Sequence, residues 1–270
     1  MSTLEHGAVY VYCFTRPGAL GALSVPGVSG ATDVETLELG GVAAVFSPLC
    51  MEEFLGPEGD EHAQDLEWVA PRALRHEAVV EEVMRFSPAL PVSFGAVFSS
   101  PRALSEAVRS HERRITEFLD DIANKEEWAV KIYVHRQRLR ADLERQPEFL
   151  QRQGPLPASE GARYLYEKRL HRALDERARG EGGRIAARIR DELSQLAVAE
   201  RSLRLAERDV TGRQDDMVSN CAFLARSGEV EAFLRRVGQL SEEYEPRGVT
   251  VEATGPWPPY SFCPSLEVPP

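Results

Sequence analysis

The chain has 270 residues, 43% of them apolar, which suits one large domain or two small ones, each with its own core. Its net charge of −11 is uneven, with 9 Lys and Arg against 21 Asp and Glu in residues 1–127, and 23 against 22 in residues 128–270. The acidic first half repels phosphate backbones and argues against general nucleic-acid binding. No apolar run approaches the roughly 20 residues that cross a membrane, and the start, with Glu5 and no basic cluster, does not read as a signal peptide.

In chain order, Ala8–Phe14 (AVYVYCF) is β-branched and aromatic and reads as a buried strand. A loop rich in Gly, Pro and Ser follows. Asp33–Leu39 and Val42–Phe46 flank Gly40-Gly41 and predict a hairpin. Met51–Glu67 is acidic, and its Gly56-Pro57 and Gly59 predict a loop in its middle. Pro71 suits the first turn of a helix carrying Leu74, Val80 and Val83. Val92–Phe98 reads as a strand in which Gly95 permits a bulge or close approach. Ser100-Pro101 is a hydroxyl cap with proline at the next position, opening a helix with Leu104, Val108, Ile115 and Leu119 on one face.

Trp128–Val134 opens the second half as a strand, and Gln151–Ser159 reads as a linker. A helix runs from Glu160 to about Ala197, with a break expected at Gly180, Gly182 and Gly183. Residues 163–190 carry 9 basic and 4 acidic side chains, the pattern of a solvated face or of a surface that meets an acidic partner. Val198–Ala206 and Val218–Ala225 read as strands on either side of a polar loop, Asp209–Asp216. Ser227 precedes an amphipathic helix with Phe233, Val237, Leu240 and Tyr244, and Val249–Ala253 is the last strand. Strand, helix, strand, strand, helix, strand is the order of a ferredoxin-like sandwich. The expected class is α+β in two domains, 1–127 and 128–270. The first is a modified sheet with helices on one face; the second is ferredoxin-like and ends in a closing segment and short tail.

Motifs for chemistry are absent. No Gly-rich phosphate loop or GxSxG elbow occurs, and the HExxH pattern fails after His76-Glu77 because Val80 stands where the second histidine belongs. His76 and Glu77 are helical neighbours that do not face one another, so they make a poor acid–base pair. Adjacent carboxylates, such as Glu52-Glu53, Glu81-Glu82 and Asp120-Asp121, read as solvated faces. Cys13, Cys50, Cys221 and Cys263 lack metal-site spacing and read as reduced thiols. No catalytic, cofactor or metal residues are therefore assigned.

The unusual stretch is Gly255-Pro256-Trp257-Pro258-Pro259-Tyr260. Its prolines favour an extended path with three residues per turn, which would bring Trp257 and Tyr260 to one side. They serve either as interface anchors or as rings packed back onto their own domain. Ala253–Phe262 (ATGPWPPYSF) closely resembles the C-terminal signature of the gas vesicle protein L/F family. Val9–Phe14, His76-Glu77, Leu90–Phe98 (LPVSFGAVF) and Glu127–Lys131 match further family segments in the same order.

The resemblance implies two α/β domains and a role in building gas vesicles, in the cytoplasm and on the vesicles themselves. It implies contact with the main gas vesicle shell protein (gas vesicle protein A) and with other accessory proteins, and no dealings with nucleic acid or membrane. A shell subunit that exposes apolar surface aggregates readily, so an acidic protein that holds it during assembly is the leading expectation. The residues expected to make interfaces or brace domains are Phe94, Phe98, His76, Glu77, Trp257, Pro258, Pro259, Tyr260 and Phe262. An enzyme using His76 with a carboxylate, and a module that senses a small ligand, are the alternatives.

Overall fold

A computed structural model describes residues 7–21, 23–54, 56–147, 159–206, 212–213 and 215–265. The linker expected over 151–159 lies outside them except for Ser159, as does much of the loop expected over 209–216. The chain divides into two compact units, Met1–Glu126 with Trp257–Pro270, and Glu127–Pro256. The closing segment, expected at the end of the second domain, thus groups with the first unit.

In the first unit, β1 (Ala8–Thr15), β2 (Glu35–Leu39), β3 (Val42–Leu49) and β4 (Ala89–Pro91) form an antiparallel sheet ordered β2-β3-β1-β4, and the short β5 (Val97–Phe98) also pairs with β1. The Gly40-Gly41 hairpin forms as expected, with Leu39 opposite Val42 and Gly40 at φ +64°. All eight residues of β1 are buried. Successive side chains of a strand point to opposite faces, so both faces of the sheet are covered there, beyond the one-sided cover read from the sequence. On one face α3 (Leu66–Met84) packs Val79, Val80 and Val83 against Tyr10, Tyr12 and Val45. The amphipathic α4 (Pro101–Ile122) runs along β1, β3 and β4 with Leu104, Val108, Ile115 and Leu119 buried. It begins at the expected Ser100 cap, whose hydroxyl accepts the Ala103 N–H at 3.2 Å.

Three local expectations are corrected. The acidic Met51–Glu67 stretch is helical, as α1 (Met51–Phe54) and α2 (Gly56–His62). Pro57 falls in the first turn of α2, where its missing N–H costs nothing. Gly59 permits a close approach, since a Cβ there would lie 2.4 Å from the Phe54 carbonyl carbon. The next helix starts five residues before Pro71, because Asp65 caps it by accepting the Glu67 N–H at 2.9 Å. The strand expected over 92–98 is interrupted by a turn at Phe94-Gly95. The Val92 N–H still donates to the Tyr12 carbonyl (3.0 Å), and the Val11 N–H to that of Ala96 (2.9 Å).

In the second unit, β6 (Lys125–Val134), β7 (Ala199–Ser202), β8 (Asp216–Arg226) and β9 (Val249–Trp257) form an antiparallel sheet ordered β7-β8-β6-β9. Placing the first and third strands at the centre is the ferredoxin-like order expected from the sequence. The core joins Val130 and Ile132 of β6, Phe223 and Ala225 of β8 and Val251 of β9 to two helices. These are α6 (Glu160–Ser194), through Ile185, Ile189 and Leu193, and α7 (Val230–Tyr244), through Phe233, Val237 and Leu240. A further helix, α5 (Arg136–Arg145), was not foreseen; only Leu139 and Leu143 of its ten residues are buried, too few apolar positions to show a period.

The expected break of α6 at its glycines does not occur. Gly182 is buried where the helix crosses β6 and α5, and its Cβ would meet Val134 Cγ2 at 3.3 Å and Leu139 Cδ2 at 3.6 Å. The missing side chain allows close packing, which offsets the roughly 1 kcal/mol that glycine costs in a helix.

Candidate functional site

The sequence-selected residues that meet do so in the first unit, around α3, β1 and the closing segment. A bulge in β1 between Val11 and Cys13 leaves Tyr12 opposite no single partner on β3. The Tyr10 and Tyr12 rings lie 5.0 Å apart on the face that α3 covers. His76, on the inner side of α3, is 2% exposed and sits 5.6 Å from both rings. Phe94, at the turn beyond β4, closes the cluster at 6.1 Å from Tyr10 and from His76.

The closing segment supplies the outer wall. Pro258 and Pro259 are buried, and a single 3-10 turn, Tyr260–Phe262, follows them. Cys263 Sγ–H reaches the carbonyls of Pro259 (3.3 Å) and Pro91 (3.6 Å), tying the turn to β4. Tyr260 places its hydroxyl 3.1 Å from His76 Nε2 and donates to Glu77 Oε2 at 3.2 Å.

One assignment of protons satisfies every member of this network. The Gly95 N–H donates to the Tyr10 oxygen (3.1 Å), and the Tyr10 O–H to His76 Nδ1 (2.9 Å). His76 Nε2–H then donates to the Tyr260 oxygen, and the Tyr260 O–H to the Glu77 carboxylate. Each donor in such a chain polarises the next. Beside it, the Tyr12 hydroxyl accepts the Val28 N–H (2.7 Å) and pairs with Ser47 Oγ (2.7 Å).

Burial drives the titration of these groups. It pushes His76 down to about 4, against a smaller opposing pull from the Val92 carbonyl, so the ring is neutral near pH 7. Burial also raises Glu77 above the usual carboxylate range; the Tyr260 hydrogen bond opposes that shift and the nearby Glu81 adds to it. Tyr10 and Tyr260 are raised, chiefly by burial, and stay protonated. A neutral imidazole held at both nitrogens has no vacant position for a substrate proton. The arrangement is a clamp that fixes α3 to β1 through His76 and Tyr10, and the closing segment to α3 through Tyr260.

Among the nine residues singled out in the sequence, His76, Glu77, Phe94 and Tyr260 converge, with Pro258 and Pro259 packed beneath. Phe98 pairs opposite Val9 on β5, away from the imidazole. Phe262 ends the 3-10 turn half-buried, and Trp257 is 41% exposed. Sequence reasoning missed Tyr10 and Tyr12, read only as strand residues, and a neighbouring aromatic run. In that run Phe54 lies 5.4 Å from Tyr10 and 5.0 Å from Trp68, Trp68 stacks on His62 at 4.8 Å, and the Arg72 guanidinium covers Trp68 at 4.0 Å. An aromatic every other residue in Tyr10-Val11-Tyr12 was the available signal.

The second unit holds an open cleft of about 770 Å³ lined by His135, Arg136, Arg140, Asp175, Arg179 and Arg213, among others. Carboxylates compensate three of the guanidiniums: Arg136 by Asp216, Arg140 by Glu144 and Asp175, and Arg213 by Glu252. Among the described residues, no group of three or more His, Cys, Asp or Glu is placed to hold a metal, and no helix is long and apolar enough to cross a membrane.

The sequence model of gas vesicle synthesis protein GvpL/GvpF matches residues 8–264. The chain is 28% identical to gas vesicle protein L of Streptomyces sp. (strain CB03234) over 263 residues, covering 94% of this chain and 92% of that one. It is also 28% identical to gas vesicle protein L2 of Halobacterium salinarum over 269 residues, covering 95% and 91%. The crystal structure of the gas vesicle protein GvpF from Anabaena sp. PCC7120 has the same fold, with a TM-score of 0.69 at 18% identity over 96% of this chain and 97% of that one. The chain therefore belongs to the GvpL/GvpF family of gas vesicle synthesis proteins, with an accessory role in gas vesicles and not that of an enzyme.

Proposed function

We propose that this protein works in the cytoplasm at forming gas vesicles, where it binds the main gas vesicle shell protein and keeps it from aggregating during nucleation and assembly. The observation that carries the reading is the family match over nearly the whole chain. Two features support the mode of action. The conspicuous histidine of the first unit is spent on holding the fold together, which leaves surface contact as the means of action. The first half is also strongly acidic, which keeps a carrier of apolar cargo soluble and spaced from its own copies.

The first unit is the proposed contact. The test uses the full chain, because a fragment ending at residue 127 lacks Tyr260 and with it the clamp. Purified shell protein is diluted from denaturant with and without an equimolar amount of this chain, while light scattering and co-sedimentation are followed. Suppressed scattering and a soluble complex are expected. Unchanged aggregation, with no complex at any ratio, overturns the proposal.

A further inference from the structure

The large apolar side chains that the first unit leaves exposed are not scattered. Among the described residues they are Leu66, Leu74, Phe86, Trp257 and Tyr260. The first two lie on α3, Phe86 lies two residues past its end, and Trp257 and Tyr260 belong to the closing segment that Tyr260 pins to α3 through Glu77. Leu66 is 79% exposed and Leu74 72% exposed. With exposed Ala70 and Ala78 they follow one another at i, i+4, i+8 and i+12, which places them along one side of the helix. Pro71, also exposed, widens the ridge beside Leu74. From Leu66 to Ala78 this apolar ridge is about 18 Å long at 1.5 Å per residue.

The charges along the ridge that lack an ion-pair partner among the described residues are acidic; Arg85, just past the C-terminal end of α3, is bridged to Glu82. Glu67 and Glu81 stand one heptad before and after Leu74, and Glu77 stands one turn after it. Neither Glu67 nor Glu81 has a cationic partner among the described residues. The basic residues of α3 are occupied elsewhere, Arg72 with Glu53 and the Trp68 ring, and Arg75 with the Val28 carbonyl. An isolated surface leucine needs no explanation. Two exposed leucines joined by small residues, rimmed by acids without cationic partners among the described residues and bordered by the Tyr260 ring that Glu77 holds, have the composition of a helix-binding face.

Resting on the shell-protein reading above, we propose that this ridge of α3 is the docking surface, and that its occupant is an amphipathic helix of three to four turns whose apolar stripe is flanked by Lys or Arg. The ridge length fits such a helix. The acids select for basic flanks and repel acidic ones, as complementary rims do.

The test compares the full-length chain with two double variants, Leu66→Asp/Leu74→Asp and Glu67→Lys/Glu81→Lys. Leu165→Asp, at an exposed position of the second unit, is the control. All substituted side chains are exposed, and circular dichroism checks that each variant keeps its fold. Two probes are used, purified main shell protein and a synthetic 18-residue helix with a leucine stripe flanked by lysines; a glutamate-flanked version of that helix serves as its counterpart. The wild type is expected to bind both the shell protein and the lysine-flanked helix, and to refuse the glutamate-flanked one. Each double variant should weaken binding about tenfold or more, the effect of losing ~1.4 kcal/mol, and Leu165→Asp should leave it unchanged. Glu67→Lys/Glu81→Lys should in addition gain affinity for the glutamate-flanked helix. If the wild type and both double variants retain the shell protein equally, the ridge is overturned while the shell-protein reading stands. If the lysine-flanked helix binds in a Leu66- and Leu74-dependent way but the shell protein does not bind, the ridge stands and the shell-protein reading falls. Binding of neither probe removes both.

Discussion

Acid should loosen the first unit through His76, and the size of the effect follows from where that ring sits. In the folded chain the imidazole is held down to about 4; in the unfolded chain it returns to about 6.5. Between those values the unfolded state binds the extra proton and the folded state does not, so stability falls as the pH drops through this window. The contribution is intact above pH 6.5 and is lost progressively below it. At pH 5 the loss is about 2 kcal/mol, and below pH 4 it levels off at about 3 kcal/mol, the equivalent of the 2.5-unit separation. Glu77 works in the opposite sense, since its raised value lets the folded state hold a proton more readily than the unfolded one.

The measurement is therefore a difference. Urea unfolding of the wild type and of His76→Gln is followed between pH 4 and 8 through amide exchange of β1, so that the first unit is read separately from the second. The two stability curves should run parallel above pH 7 and converge by about 2 kcal/mol at pH 5. An imidazole resonance titrating near 6.5 in the folded protein, or identical pH slopes in the two proteins, would falsify the buried neutral clamp.

Tyr260→Phe removes the hydroxyl that bridges His76 and Glu77, leaving a buried imidazole N–H unpaired; the first unit should lose about 1–3 kcal/mol by urea unfolding, with the second unit unaffected. Two adjacent glycines of α6 should respond in opposite directions. Gly183, whose Cβ would meet nothing within 4 Å, should gain about 0.5–1 kcal/mol on substitution by Ala, whereas Gly182→Leu drives a side chain into Val134 and Leu139 and should cost about 1–3 kcal/mol, both read as thermal shifts of the second unit. Gly248→Ala should destabilise as well, since φ is +80° there and a Cβ would lie 2.6 Å from Arg138 Cβ.

Features set by neighbouring residues were legible in the sequence. The Gly40-Gly41 hairpin, the Ser100-Pro101 helix start and the strand–helix order of the second unit each follow from a few adjacent positions, and each is present. Where residues far apart act on one another, spacing misled. Gly182 reads as a breaker because the residue that needs its small size, Val134, lies far along the chain and cannot be named from local composition. The His76-Glu77 pair drew attention, and its side chains do not face one another. They are joined through Tyr260, 184 positions from His76, a link no helical period reveals. The burial of Tyr10 was foreseen as part of a strand, but its hydroxyl partner was not, because alternation gives the face of a strand residue and not what lies above it.

The first unit is assembled from two stretches of chain with the whole second unit encoded between them. During synthesis β1, β3, α3 and α4 leave the ribosome early, but Tyr260 follows only after some 130 further residues. At 5–20 residues per second that interval is roughly 7–26 s. Through it the imidazole on α3 has water in place of its last phenol, and the neighbouring helix surface lacks its finished edge. A nascent chain cut short before Trp257 thus carries an unlatched first unit, whereas the latch closes only on a polypeptide that already contains everything before it.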